Sequence, residues 1–232
     1  MARETFDRQL KMLLDQVLVL GSMVEQAVLD ALEALKRRDH VAARCIIEAD
    51  LRVNEKRYAI ESGCVILLAT QQPMARDVRL LAAILEIITE LERIGDYAKG
   101  ICKINLILSE EVIDPVLFYD LQQMATPGLD MLRRALDAFV ARDVKTVREI
   151  PGEDDTVDQL YDRIYLKLAE QVIADITSVD RANHMMWAAH NLERLADRVT
   201  NICERIIYVA TGEMKELDQT EGTVEGIKGW AS

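Results

Sequence analysis

Apolar residues recur at intervals of three and four along most of this chain, which is the spacing that places them on one face of an α-helix. Polar or proline-containing breaks interrupt the pattern at Arg38-Asp39, Gln72-Pro73 and Arg142-Asp143. A fifth helical stretch follows the last of these breaks, with its own interruption at Ile150-Pro151-Gly152. The pattern predicts six long helices, at about 4–37, 41–70, 74–108, 115–141, 144–176 and 179–211.

The second half of the chain repeats the first. Leu91-Glu92-Arg93-Ile94-Gly95-Asp96 returns as Leu192-Glu193-Arg194-Leu195-Ala196-Asp197, 101 residues later, and Arg38-Asp39 returns as Arg142-Asp143, 104 residues later. Long helices with short turns between them pack as antiparallel bundles. We therefore predict an all-α fold of two tandem, duplicated three-helix bundles. The predicted segments are a first bundle repeat at 1–108, a linker at 109–114, a second repeat at 115–212 and a polar C-terminal tail at 213–232.

Charge and composition narrow the possible partners. The 232 residues carry 28 basic and 40 acidic side chains, a formal net charge of −12. Such a surface repels nucleic acid and gives anionic lipid no basic patch on which to dock. The N-terminus has acids where a signal peptide needs an apolar core, and we expect no apolar run near the ~18 residues of a membrane span. Four single cysteines without a Cys-x-x-Cys pair fit buried, reduced thiols. A cytoplasmic protein that is not integral to a membrane is the expectation.

Pairs of acids mark the duplicated helices. Glu92 and Asp96 are four residues apart, as are Glu193 and Asp197, so each pair shares one helix face. The preceding helix of each half supplies a matching pair, again at four residues: Asp50 with Asn54, and Asp154 with Asp158. In an antiparallel hairpin the two pairs would face each other, which would gather several carboxylates in each half.

Carboxylates crowded into a partly dry site cannot all remain ionised unaided. Protonation, salt bridges with arginine and bound cations are the three resolutions. Arg93 and Arg194 directly follow their glutamates and point away from them on a helix, while oxygen-rich sites suit Mg²⁺, Mn²⁺, Ca²⁺ or Fe³⁺. The predicted metal ligands are Glu92, Asp96, Glu193, Asp197, Asp50, Asp154, Asp158, Asn54 and His190.

The sequence leaves alternatives open at these positions. A salt-bridge network, or acids exposed on a helix flank, would use the same residues without a metal. His190 lies three residues before Glu193, where the first copy has Thr89, and is either a ligand or a hydrogen-bonded neighbour. Asp154 follows Pro151-Gly152 and is alternatively a helix cap.

These residues resemble the PhoU family of bacterial phosphate-signalling regulators. The resemblance rests on Glu92-Arg93-Ile94-Gly95-Asp96, Glu193-Arg194-Leu195-Ala196-Asp197, Asn201-Ile202-Cys203-Glu204-Arg205 and Gln72-Pro73-Met74-Ala75-Arg76-Asp77-Val78-Arg79, and covers about residues 4–213. Departures are Ala196 where the first copy has glycine, Tyr97 and Arg198 where the family often has histidine, and Asn54 in place of aspartate.

The resemblance implies two three-helix bundles with metal clusters on their surface, iron in some members and Mg²⁺ or Mn²⁺ in others. It implies a cytoplasmic, usually dimeric protein without catalytic activity. The implied role is negative regulation of phosphate uptake and signalling, between the ATPase subunit of the phosphate ABC transporter and a sensor histidine kinase. Carried over by position, Glu92, Asp96, Glu193 and Asp197 are the strongest ligand candidates.

Two rival functions share this composition. A carboxylate-bridged di-iron, ferritin-like oxidoreductase would use Glu-x-x-His pairs, but arginine or tryptophan stands three residues before each of His40, His184 and His190. A helical adaptor without metal is the second rival. The sequence shows neither a nucleophile with an adjacent base nor a phosphate-binding glycine loop, so we expect no enzyme.

Overall fold

A computed structural model describes residues 2–108, 114–213 and Leu217. Within these residues the chain is helical throughout, which confirms the all-α fold. Three long helices precede the linker region and four follow it. Their bounds are α1 Ala2–Arg37, α2 His40–Gln71, α3 Ala75–Ile107, α4 Pro115–Ala141, α5 Val144–Glu149, α6 Asp154–Ala174 and α7 Val179–Thr211.

The predicted fifth helix is divided into α5 and α6. A short 3₁₀ segment, Ile150–Glu153, joins the two at the predicted interruption. Pro151 lacks a backbone N–H and cannot donate inside an α-helix, which explains the change of geometry there. Most of the predicted linker (109–113) and of the tail (214–216 and 218–232) lies outside the described residues.

Two aspartates begin corresponding helices in the two halves. Asp39 accepts hydrogen bonds from the backbone N–H groups of Val41 and Ala42, at 3.0 and 2.9 Å. Asp143 accepts from the corresponding N–H groups at the start of α5, at 3.1 and 3.2 Å. An N-terminal aspartate satisfies donors that have no partner within the helix, so the duplication preserves both breaks.

Helix α1 supplies the innermost face of the first bundle. Val17, Leu20, Val24 and Val28 are completely buried at intervals of three and four. By length and composition alone α1 is also apolar enough to cross a membrane, so the expectation that no stretch approaches that length is wrong for this helix. The core helix of a soluble protein passes the same test, and these four side chains account for part of the apolar character of α1.

Helices α3 and α7 run antiparallel along the junction of the two bundles. Glu90, near the middle of α3, accepts hydrogen bonds from Arg198 and Asn201 of α7, both at 3.3 Å. Further along α3, Gly100 packs against Asn191 of α7. Because Glu90 is buried, its ion pairs with Arg198 and, at 2.5 Å, with Arg93 supply its counter-charge.

The cysteines follow the predicted pattern with one exception. Cys64, Cys102 and Cys203 are buried as free thiols, and burial raises the pKa of each thiol to about 12. Cys45 is exposed on α2, so the expectation of a buried thiol is wrong there.

A buried polar network closes the first bundle. Arg38 ends α1 in a left-handed conformation, with φ 56°. Its guanidinium donates to Asn105 Oδ1 at 3.3 Å and to the Leu108 carbonyl at 2.6 Å. Asn105 is fully buried and donates in turn to the Ala34 carbonyl at 3.0 Å. The end of α3 is thereby tied to the end of α1.

The second half keeps the arginine but not the network. Arg142 ends α4 with φ 58°. The offset of 101 residues between α3 and α7 pairs Asn105 with Ile206 and Leu108 with Val209. Arg142 therefore has no amide side chain at the position where Arg38 finds one.

We expect Asn105→Ala to lower the free energy of unfolding by about 2 kcal/mol, because it removes two hydrogen bonds, one to the Ala34 carbonyl and one from the Arg38 guanidinium. Arg142→Ala, which removes no such network, should change it by less than about 0.5 kcal/mol. Urea unfolding followed by circular dichroism measures both. Equal destabilisation by the two variants would contradict the asymmetry.

Candidate functional site

The first acidic cluster forms where α2 meets α3. Asp50 is buried on α2, and its carboxylate accepts a hydrogen bond of 3.3 Å from the amide of Asn54. Gly95 on α3 faces this pair: a Cβ at Gly95 would lie 3.3 Å from Val53 Cγ1 and 3.8 Å from Asp50 Oδ1. The absence of a side chain at Gly95 therefore lets the helices approach closely enough for the acids to meet.

Lys99 lies at the centre of this cluster. Its ammonium is 2.6 Å from Asp50 Oδ2 and 3.5 Å from Asp96 Oδ1, so it bridges the two helices. The hydrogen bond to Asp50 raises the pKa of Lys99 above its ordinary value. A cation provided by the chain itself thus stands between two of the predicted ligands.

Glu92 shares the same electrostatic field. Burial, followed by the neighbouring Asp96 carboxylate, raises the pKa of Glu92, and the Arg57 guanidinium partly offsets this effect. Asp50 also contributes to raising it. Asp50 and Asp96 therefore lie near enough to Glu92 to raise its pKa, and Asn54 contacts Asp50, without three of these acids converging on one point.

The second acidic cluster forms where α6 meets α7. Burial raises the pKa of Glu193 to about 7, and the carboxylates of Asp197 and Asp158 add to this shift. Arg194 lies 3.5 Å and Arg198 3.8 Å from Asp197 Oδ2, and the pKa of Glu193 stays high despite both cations. Burial and the neighbouring carboxylates thus outweigh the two arginines at Glu193.

His190 lies beside Glu193, as the sequence predicts. Its Nδ1 is 3.2 Å from Glu193 Oε2. That oxygen is buried and, among the residues that the structure describes, receives no hydrogen bond of good geometry. The ring of Tyr161 lies 6.2 Å from the His190 ring, which places an aromatic side chain of α6 over the site. The imidazole nitrogen of His190 and the carboxylate oxygen of Glu193 thus lie side by side.

Asp154 is buried at the start of α6, one turn before Asp158. It adopts helical dihedral angles, φ −59° and ψ −38°, and Glu153 precedes it as the cap residue. Asp154 is therefore the first residue of α6, and Glu153 occupies the cap position that the alternative gave to Asp154. The Asp154 carboxylate lies inside the bundle rather than at a free helix end.

The sequence did not single out Lys99, although the duplication contains a signal for it. The offset of 101 residues between α3 and α7 pairs Lys99 with Thr200, whose side chain is buried. The Thr200 hydroxyl has no hydrogen-bond partner among the described residues. The ammonium that neutralises the first cluster thus has no counterpart in the second.

The two clusters differ in how well they suit a metal ion. Within residues 2–108 and 114–213 no three His, Cys, Asp or Glu side chains already converge as a coordination sphere. In the first cluster a cation would have to displace the Lys99 ammonium. In the second, the raised pKa of Glu193 shows that ionising it is unfavourable without added positive charge. A hard divalent or trivalent cation supplies that charge, so the second donor set fits one.

Comparison with known proteins gives the same family over most of the chain. The model of the PhoU domain matches twice, at residues 17–104 and 121–206. The phosphate-specific transport system accessory protein PhoU of Escherichia coli is 36% identical over 208 residues, which are 90% of this chain and 86% of that protein. The PhoU homolog of Clostridium acetobutylicum is 34% identical over 219 residues, 94% of this chain and all of that protein.

Solved structures agree with these matches. The crystal structure of PhoU from Pseudomonas aeruginosa has a TM-score of 0.83 and 32% identity, and the match covers 90% of this chain and all of that one. A PhoU structure from Streptococcus pneumoniae has the same TM-score and 33% identity, over 90% of this chain and 99% of that one. With both halves matched by one domain model and the fold shared end to end, this chain belongs to the PhoU family.

Proposed function

We propose that this chain is a cytoplasmic regulator of phosphate uptake and signalling, acting by contact rather than by catalysis. The observation that carries the proposal is the family match, whose relatives are named as accessory proteins of the phosphate-specific transport system. The finer proposal is negative regulation, by a homodimer that contacts the transporter's ATPase subunit and a sensor histidine kinase.

The described surface suits a protein that works by docking. Helices α2 and α6 carry large apolar side chains that are more than half exposed, among them Leu51 and Tyr58 on α2 and Leu166 and Ile173 on α6. The same two helices carry the predicted ligands Asp50, which is buried, and Asp158, which is exposed. A cation that ties α6 to α7 would fix the orientation of the exposed face of α6.

We further propose that the second cluster holds a metal ion, with Glu193, Asp197 and Asp158 as ligands and His190 and Asp154 beside them. The ion would be iron, Mg²⁺ or Mn²⁺, since carboxylate oxygens suit hard cations. When bound, it would supply positive charge beside the Glu193 carboxylate. The first cluster remains a predicted metal site, for an ion that would displace the Lys99 ammonium. Its predicted ligands are Glu92, Asp96, Asp50 and Asn54. No observation favours the di-iron oxidoreductase. A protein that proves to hold no metal would instead be the metal-free adaptor.

The regulatory role predicts a cellular phenotype. In a host that lacks this chain, a reporter of phosphate-starvation genes should be active even in phosphate-rich medium, and the intact gene should silence it. Purified ATPase subunit should also bind the immobilised chain, whereas Ile173→Asp should weaken this binding if α6 is the docking face. A reporter that stays silent in the deletion strain would contradict negative regulation.

The asymmetry of the clusters predicts unequal loss of metal. In protein purified without chelators, Glu193→Gln with Asp197→Asn should remove most of the bound metal, because the pKa of Glu193 is raised to about 7 and a bound cation would favour its ionised form. Glu92→Gln with Asp96→Asn is the matched control and should remove less. Elemental analysis by mass spectrometry measures both, and circular dichroism confirms the helices. A wild-type protein without metal would refute the metal proposal and leave the adaptor.

Removing the internal ammonium should make the first cluster resemble the second. Lys99→Thr copies the residue at the duplicated position, and it leaves Asp50 and Asp96 without their bridging cation. We expect the variant to bind additional divalent metal, measured by titration calorimetry after chelator treatment. Lys103→Thr, on the exposed side of α3, is the control and should add none. Unchanged metal binding in Lys99→Thr would show that the ammonium does not exclude a metal.

The raised pKa of Glu193 also predicts how stability depends on pH in chelator-treated protein. An unfolded glutamate ionises near its ordinary pKa, whereas Glu193 keeps its proton in the fold up to about pH 7. Its contribution to stability is therefore complete at low pH and is lost as the pH rises towards and through 7. Glu193→Gln should remove this loss and stabilise the protein by about 1–2 kcal/mol at pH 8, with little gain at pH 5. The charged and titratable groups around Glu193 are Asp158, Tyr161, His190, Arg194, Asp197 and Arg198.

Thermal unfolding at the two pH values tests this sign. The control is Glu86→Gln, which replaces an exposed glutamate of α3. Glu90→Gln would not serve as a control, because the Glu90 carboxylate forms an ion pair with Arg198. A Glu193→Gln variant that gains nothing at pH 8 would contradict the shift.

A further inference from the structure

A charged cavity, separate from the two acidic clusters, lies where the beginning of α3 meets the ends of α4 and α7. It is a cavity of about 380 Å³. Three arginines, Arg76, Arg79 and Arg142, line it together with Asp77. Phe139 and Ile206 are among the apolar side chains of its wall. Three arginines along one cavity stand out in a chain whose net charge is −12.

The carboxylate in this cavity is already engaged elsewhere. Asp77 accepts two hydrogen bonds from the Arg3 guanidinium, at 2.6 and 3.3 Å, and a third from the Met74 backbone N–H at 3.3 Å. The hydrogen bond from Arg3 is the main reason why the pKa of Asp77 lies below its ordinary value. Asp77 therefore remains ionised but is neutralised chiefly by Arg3, so the three arginines of the cavity keep a net positive charge.

Arg76, Arg79 and Arg142 make no ion pair with any carboxylate that the structure describes. The duplication shows why this matters at Arg142. Arg38, its counterpart, is bound to Asn105 and to the Leu108 carbonyl, whereas Arg142 faces the apolar replacements of the second half. The second arginine has kept its position at a helix end without its structural partners.

The chain also makes room for Arg79. Gly212 ends α7 with φ 80°, and a Cβ at that position would lie 2.5 Å from Arg79 Nη1. Arg79 is half-buried, and its Nε has no hydrogen-bond partner among the described residues. A glycine at the end of α7 thus allows a guanidinium with unused donor capacity to lie beside the helix.

We propose that this cavity binds a tetrahedral oxyanion, and that its ligand is inorganic phosphate or the phosphate group of a small ester. Guanidinium groups present paired N–H donors that match phosphate oxygens, and several such groups around one anion bind it with charge-assisted hydrogen bonds. The proposal stands on the cavity and its arginines and does not depend on metal binding. Phosphate here would meet arginine, not a metal ion.

Titration calorimetry on the full chain, with chelator present to exclude metal-bound phosphate, tests the proposal. We expect saturable binding of inorganic phosphate at one site per chain. Arg142→Ala should weaken it about tenfold, and Arg142→Glu should abolish it. Arg44→Ala removes an exposed guanidinium of α2 outside the cavity and should leave binding unchanged. Because Arg142 has no structural partner, both of its variants should unfold at the wild-type temperature.

Parallel titrations with sulfate and with a nucleoside monophosphate identify the source of the anion. Tighter binding of free phosphate assigns the cavity to inorganic phosphate, and tighter binding of the monophosphate assigns it to an ester. Absence of saturable binding of any of the three would overturn the proposal. Equal weakening in Arg44→Ala and Arg142→Ala would also overturn it, because binding would then reflect general surface charge.

Discussion

The electrostatic constraint on which the rest of this structure depends is that carboxylates placed beside a helical core need positive charge close by. Such carboxylates lie on α3 in the first half and on α7 in the second half. The two halves compensate their charge differently. In the first, Lys99 donates to Asp50 and reaches Asp96. In the second, the arginines do not compensate fully, and the pKa of Glu193 rises to about 7. Duplication thus conserved the acids but not the means of neutralising them.

Much of the fold follows from local patterns in the sequence. Helix periodicity, the polar breaks at Asp39 and Asp143, and the offset between the halves are local or repeated features, so they predict the helices and their duplicated order. The acidic pairs could be placed on facing helices for the same reason. Helix spacing determines which face Glu92 and Asp96 share, and an antiparallel hairpin brings Asp50 towards them.

The remaining features depend on contacts between distant parts of the chain. Lys99 and Glu90 look like ordinary surface charges, yet one bridges α2 and α3 and the other joins α3 to α7. Their roles depend on side-chain conformation and on the packing of the two bundles, which periodicity does not contain. The apolar character of α1 is different, because it can be seen from length and composition alone.

The second half lacks the arginine network of the first, and it contributes residues to both the second acidic cluster and the arginine cavity, the sites for which we propose ligands. Arg38 stabilises the first bundle through Asn105, while Arg142 lines a cavity. Helix α7 connects the two regions, since it carries Glu193 and ends beside Arg79 at Gly212. These positions are 19 residues apart, roughly 28 Å along a helix, which is several times the Debye length of about 8 Å at physiological ionic strength. Direct attraction between a cation at one end and an anion at the other is therefore screened. Any coupling between the two sites must act through the packing of α7 against α3 and α6, so it would be sensitive to core substitutions and nearly insensitive to salt.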